Sequence, residues 1–182
     1  RLLLAYNSGI FPWFEEDQLI LWWSPDPRMV LFPEKLKVSK SLQKTVANKK
    51  FKITYNKAFS EVIKNCSAIK RDAQRGTWIT KEMQEAYIKL HKEGHAISVE
   101  VWNDDVLVGG LYGIDLPKKK VFCGESMFNK ETDASKVGFY HLILEFQKKN
   151  YKLIDCQVYT AHLESLGAEE ISRDEFLKFL SC

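Results

Sequence analysis

The sequence lacks any apolar run approaching the ~20 residues needed to span a bilayer, and no signal-peptide pattern of basic, apolar and small residues opens it. A cytosolic location follows as the expectation, with no membrane partner. Cysteine is sparse: Cys66, Cys123, Cys156 and Cys182 stand far apart, without CxxC or other metal spacing. Reduced thiols are expected, and structural zinc is not. A starting methionine is also missing; Arg1 falls inside an apolar helical pattern, so an upstream piece is expected. What is present, 182 residues of which 45% are hydrophobic, can bury a core as one domain or two small ones.

Net charge is only +3, but it is unevenly spread. Residues 34 to 95 hold 15 Lys/Arg against 6 Asp/Glu, a local +9, and the rest of the chain sums to −6. Such asymmetry suits a protein that holds a polyanion in one place and a cation in another. An ordinary lysine-rich surface is the plainer alternative. Ser39 can cap a helix to about Ala47, placing Lys40 and Lys44 one turn apart, with Lys37 before and Lys49 and Lys50 after. That face suits a phosphate backbone.

Two apolar runs carry polar groups inside them: Phe122-Cys123-Gly124-Glu125-Ser126-Met127-Phe128 and Leu153-Ile154-Asp155-Cys156-Gln157-Val158. An unpaired charge in a core costs several kcal/mol or more, so each acid must be bonded, paired or functional. Strand alternation puts Cys123, Glu125 and Met127 on one face and projects Asp155 and Gln157 together. A satisfied structural acid explains either alone; two such strands flanking one helix point to a shared site.

Along the chain, Arg1–Asn7 reads as the end of a helix stopped by Ser8-Gly9, then an aromatic turn at Ile10–Phe14. Ile20–Trp23 and Met29–Phe32 are short strand candidates, with Trp22 and Trp23 read as core. Trp13, on a proline-bearing loop, is the better candidate for stacking on a flat ligand. Phe51–Tyr55 is a strand and Ala58–Ile69 a helix. Lys70–Gly76 is a charged loop expected to separate two lobes, and Trp78 sits at their joint. Thr80 caps the next helix, which ends at Gly94. Strands at Ala96–Trp102, Val106–Ile114 and Lys120–Met127 then form an antiparallel meander. A long helix runs from Asp133 or Ser135 to Lys149, a strand returns at Leu153–Val158, and helices at Ala161–Leu166 and Arg173–Leu180 close the chain.

A right-handed crossover makes the returning strand parallel to Lys120–Met127. That order resembles the Gcn5-related N-acetyltransferase fold. The expectation is therefore an α+β protein: a smaller N-terminal α/β lobe, aromatic and basic, over residues 1–75, and an acyltransferase-like catalytic domain over 76–182. In that fold the two parallel strands splay and the acyl donor enters between them. A glycine-rich turn normally opens the following helix to hold the coenzyme A pyrophosphate. Here Asn129–Lys136 has no glycine, which disfavours coenzyme A and calls for another acyl carrier.

The chain as a whole resembles the leucyl/phenylalanyl-tRNA–protein transferases. The matching stretches are Gly9–Phe14, Trp22–Arg28, Gly76–Thr80, Gly94–Ala96, Phe122–Phe128, Ala134–Lys136 and Leu153–Gln157, in family order across nearly the whole chain. The resemblance implies transfer of Leu or Phe, and less well Met, from aminoacyl-tRNA to proteins whose N-terminal residue is Arg or Lys, marking them for N-end rule degradation. No cofactor, no metal and a monomer are expected. Asp155 and Gln157 resemble the catalytic pair and Glu125 the residue near the cationic acceptor. Trp13 and Trp78 would take the adenine, and Leu111, Phe122, Ser126, Leu142 and Phe146 would line the aminoacyl and adenosine pocket. Lys37, Lys40, Lys44 and Lys49 would contact tRNA. A coenzyme A-dependent N-acetyltransferase and a non-enzymatic tRNA-binding protein are the alternatives.

An aminoacyl ester is already activated, and an α-amine of pKa about 7.7 to 8.0 is partly neutral at pH 7. Alignment alone can then supply several kcal/mol of the barrier. Asp155 is expected to orient the Gln157 amide and offset positive charge on the attacking nitrogen, with the leaving ribose hydroxyl taking the proton. Cys123 and Cys156 have no histidine nearby in sequence and are expected to pack.

Overall fold

Helix α1 (Leu2–Asn7) ends at Ser8-Gly9, where Gly9 turns with φ +75° and a Cβ would stand 2.6 Å from Leu177 Cδ2. Glycine is required there by both dihedral and space. The computed structural model describes residues 1–14, 18–69 and 77–181. Strands β1 (Phe11–Pro12) and β2 (Trp22–Trp23) pair as a small ribbon, and β3 (Arg28–Leu31) enters the main sheet. Helix α2 (Lys40–Ala47), strand β4 (Lys52–Tyr55), and helices α3 (Phe59–Ser67) and α4 (Lys81–Lys92) follow. Ser39 and Thr80 cap α2 and α4 by accepting the N–H of Leu42 and Met83.

The meander is β5 (Ala96–Asn103), β6 (Val106–Leu116) and β7 (Val121–Asn129), antiparallel throughout. Helix α5 (Ala134–Lys148) crosses over to β8 (Leu153–Gln157), which lies parallel to β7. Helix α6 (Ala161–Ser165), strand β9 (Glu169–Ile171) and helix α7 (Arg173–Leu180) finish the chain. This is the acyltransferase-like core expected from the sequence. Parallel pairing of β7 with β8 lasts for three residue pairs, Val121↔Leu153 to Cys123↔Asp155, and then stops. The strands splay beyond that point.

Among the described residues the main sheet has seven strands in the order β4-β5-β6-β7-β8-β3-β9. Strands from the first 75 residues therefore extend the same sheet at both ends: β4 pairs β5, while β3 lies between β8 and β9. The expected lobe boundary at residues 75 and 76 falls in Lys70–Gly76, which lies outside the described residues. Alternation along each strand sends side chains into two cores. Tyr6, Val62, Tyr87, Tyr112, Cys123 and Phe176 pack with α1, α3, α4 and α7 on one face. Leu42, Leu111, Phe122, Leu142, Phe146 and Ile154 pack with α2 and α5 on the other. No helix among the described residues is long and apolar enough to cross a membrane.

Trp22 and Trp23 are not core: the ribbon leaves them 41% and 43% exposed. Strand β9 has no counterpart among the expected strands, because Glu169-Glu170-Ile171 has no period of its own and becomes a strand by pairing with β3.

Candidate active site

The splay has a local cause in each strand. On β6, Tyr112 faces Ser126 while the next residue, Gly113, faces Gly124, so Glu125 is the extra residue of a β-bulge. On β3, Met29 faces Gln157 while Val30 faces Asp155, so Cys156 is the extra residue of β8. Bulges bend a strand and re-aim side chains. The first also reverses alternation: Cys123 and Phe128 share one core, whereas Met127 packs in the other. Cys123, Glu125 and Met127 therefore do not share a face, since strict alternation holds only in an unbulged strand. Gln157 is strained as well, with φ +69° at the centre of a three-residue turn closed by Val158 N–H to Cys156 C=O at 2.9 Å. Such a conformation costs ~1–3 kcal/mol and persists where surrounding structure fixes it.

Glu125 and Gln157 meet across the gap, Gln157 Nε2 donating to Glu125 Oε1 at 2.7 Å. Tyr87 Oη donates to Glu125 Oε2 at 2.7 Å, and the Tyr6 and Tyr87 hydroxyls are 2.5 Å apart. Because Tyr87 donates to the carboxylate, its oxygen accepts from Tyr6. Burial pushes the Glu125 carboxyl up to about 7 against those donors, and the charge of Asp155 adds a smaller push. Among the described residues no Lys or Arg forms an ion pair with Glu125.

Asp155 lies deeper. Both of its oxygens face Arg28: Nε donates to Oδ1 at 2.8 Å and Nη2 to Oδ2 at 2.7 Å, a two-pronged pair fully buried on both sides. Arg28 also donates to Gly9 C=O at 3.2 Å and lies over the rings of Phe11 and Phe176 at 4.8 and 4.5 Å. Asp155 Oδ1 accepts the backbone N–H of Gln157 at 3.0 Å. The acid therefore fixes the Gln157 main chain, not its amide as expected, because Arg28 occupies the carboxylate and the bulge carries the Gln157 side chain away.

Glu125 and Gln157 stand in the wall of a cavity of about 440 Å³. Leu111, Phe122, Met127, Phe139 and Ile154 give it an apolar lining, Trp13 and Trp78 reach it from the N-terminal half of the chain, and Thr160, His162 and Leu163 also line it. The expected residues Ser126, Leu111, Phe122, Trp13, Trp78, Glu125 and Gln157 are thus together. Asp155 is not among the lining residues, and neither are Leu142 and Phe146. Those two belong to the core behind Phe122, whose ring meets that of Phe146 at 5.2 Å. Their places in the wall go to Met127, Phe139 and Ile154.

Burial first, and then neighbouring acids, push the thiols of Cys123 and Cys156 up, so neither is a thiolate nucleophile at neutral pH. The first turn of α5 packs on β6: a Cβ on Gly109 would stand 2.7 Å from Ala134 Cβ and 3.2 Å from Ser135 N. Lys37, Lys40, Lys44 and Lys49 are all exposed, on or beside α2, whose Leu42 is buried. Sequence reasoning gave no role to Arg28, Tyr6 or Tyr87. For Arg28 a signal exists, a charge opening the apolar run Met29-Val30-Leu31-Phe32; for the tyrosines there is none, since a phenol at an apolar helix position reads as packing.

The family model described as leucyl/phenylalanyl-tRNA protein transferase matches residues 30–181, and the model of that family's N-terminal domain matches residues 1–26. Curated relatives of the same description include one from Flavobacterium johnsoniae, 64% identical over 99% of this chain and 84% of its own length. Another, from Christiangramia forsetii, is 61% identical over 99% and 85%. In fold alone, a conserved protein of unknown function from Bacteroides thetaiotaomicron is similar with TM-score 0.53 and 12% identity, over 76% of this chain and 53% of that one. L-PGS from Bacillus licheniformis is similar with TM-score 0.50 and 7% identity, over 76% and 49%. With matched models spanning nearly its whole length and relatives this similar, the chain belongs to the leucyl/phenylalanyl-tRNA–protein transferase family.

Proposed function

We propose that this transferase moves Leu or Phe, and less well Met, from aminoacyl-tRNA to the α-amine of proteins that begin with Arg or Lys, working in the cytosol as a monomer and marking its products for N-end rule degradation. The observation that carries the acceptor preference is Glu125, an acid in the cavity wall bonded only by neutral donors among the described residues. A bound Arg or Lys side chain supplies the missing counter-charge. The apolar wall takes the Leu or Phe side chain, Trp13 and Trp78 take the adenosine, and the exposed lysines beside α2 take tRNA phosphates.

In the reaction the acceptor nitrogen forms a bond to the ester carbonyl, the ester C–O bond breaks, and the amine proton ends on the ribose oxygen. Gln157 donates one of its two amide N–H groups to Glu125, and its amide oxygen accepts from the attacking amine. There it offsets the positive charge that develops on nitrogen. Asp155 and Arg28 act one step back, holding the strained turn at Gln157. No covalent enzyme intermediate is needed.

The test mixes purified protein with radiolabelled Leu-tRNA and peptides differing only in a first residue of Arg, Lys or Ala, with labelled acetyl-coenzyme A in parallel. Label from tRNA should enter the Arg and Lys peptides. Equal labelling of the Ala peptide refutes the acceptor preference, and labelling from acetyl-coenzyme A alone refutes the donor.

A further inference from the structure

The tryptophan pair Trp22-Trp23 is the sequence feature that the reaction leaves unused. Trp23 pairs with Phe11 across the β1–β2 ribbon, and its Nε1 donates to Trp13 C=O at 2.7 Å. Its ring meets that of Trp13 at 5.9 Å with a tilt of 55°. Trp13 is 38% exposed and lines the cavity; Trp23 is 43% exposed and does not. A tilt of 55° leaves no parallel slot between the two rings in which a base could be sandwiched, and both rings are partly exposed. Trp23 thus extends the exposed aromatic surface of Trp13 to a ring outside the cavity lining. An indole so exposed, with its N–H already bonded, serves poorly as packing and well as a stacking platform.

We infer that Trp23 stacks the unpaired nucleotides that precede the terminal adenosine of the tRNA donor, so that the aromatic surface reads a single-stranded 3′ tail and not the adenosine alone. This rests on the donor assignment proposed above. If the aminoacyl group fills the apolar cavity and the adenosine lies at Trp13, the chain leaving the adenosine passes next to Trp13. A flat aromatic face suits bases of any identity there, because every base has a π-face. Trp22, adjacent on the same strand, projects to the opposite side of the ribbon and takes no part.

The test measures Kd for two non-hydrolysable donors, phenylalanyl-adenosine linked through an amide and the same group on a cytidine-cytidine-adenosine trinucleotide. The wild-type protein should bind the trinucleotide more tightly. Trp23→Ala should remove about 5- to 150-fold of trinucleotide affinity, the span of one stacking contact, with a smaller loss for the mononucleotide. Trp23→Phe should retain most of the gain, and Trp22→Ala all of it. Equal losses for both ligands in Trp23→Ala would reduce Trp23 to a buttress of Trp13 and overturn the inference. A raised KM for the acceptor peptide with the nucleotide gain intact would assign the surface to the acceptor and overturn it too. Should the wild-type protein bind neither donor, the donor assignment itself fails; binding of both with equal affinity sinks only the role of Trp23.

Discussion

Gln157 Nε2 donates to Glu125 Oε1 at 2.7 Å, joining the bulge of β7 to the strained end of β8 where the two strands have parted. Each residue thereby fixes the other, and removing one changes both. Glu125→Gln keeps the size but loses the charge. Under the proposed acceptor role it should raise KM for Arg- and Lys-starting peptides and change kcat less. Steady-state kinetics against an Ala-starting peptide check this: a loss equal for all three peptides, with KM unmoved, would assign Glu125 to the transfer step.

The same carboxyl sets a pH dependence. With its pKa pushed up to about 7, Glu125 gains its charge only as pH rises through that value. KM for an Arg-starting peptide should fall across the same range and level off above it, and Glu125→Gln should flatten the profile. The acceptor amine also titrates nearby, but its effect persists in the mutant. For stability the sign is opposite. The unfolded chain loses this proton near the ordinary Glu value, about 4.3, while the folded protein keeps it to about 7. Stability from this group is therefore present below pH 4 and declines up to about pH 7. Thermal melts of the wild type and Glu125→Gln should differ in slope across that window.

Most of the fold is legible in the sequence because its core elements are strongly periodic. The meander, α5 and β8 follow from alternation and helical spacing, and the capping hydroxyls of Ser39 and Thr80 mark two helix starts. What alternation cannot reveal is where it fails. The bulges at Glu125 and Cys156 add one residue each without any glycine or proline at the added position, so strict period-two reading misassigns Met127 and misses why the strands part. The site is legible in its polar residues, since acids inside apolar runs stand out. It is less legible in its walls: Leu142 and Phe139 have the same chemistry on α5, and packing decides which of them meets the cavity. Arg28 and Asp155 are 127 positions apart, and nothing local links them.

Under the proposed tRNA role, binding should weaken steeply with salt, because each lysine–phosphate contact releases condensed counterions. Lys40 and Lys44 are both exposed and one turn apart on α2. Replacing both with Ala should make the slope of log affinity against log salt shallower by up to about 2. Filter binding at several salt concentrations measures it. An unchanged slope takes this helix face off the binding surface, whatever the loss in absolute affinity.

The buried Arg28–Asp155 pair predicts a different signature from the residues it supports. Asp155→Asn leaves the Arg28 guanidinium without its counter-charge in a closed site, and breaking such a pair costs ~3–5 kcal/mol. It also weakens the anchor on the Gln157 N–H, so kcat should fall together with the melting temperature. Arg28→Lys keeps the charge but cannot reproduce the two-pronged geometry, and should show a milder form of both defects. Gln157→Ala should instead lower kcat with stability nearly intact, because its side chain lies in the cavity wall and its loss frees Glu125 to be solvated there. Plotting kcat against unfolding free energy for the three variants separates the roles. If Asp155→Asn abolishes transfer while the protein melts like the wild type, the carboxylate takes part in the chemistry directly and its placement behind Gln157 is not the resting arrangement during turnover.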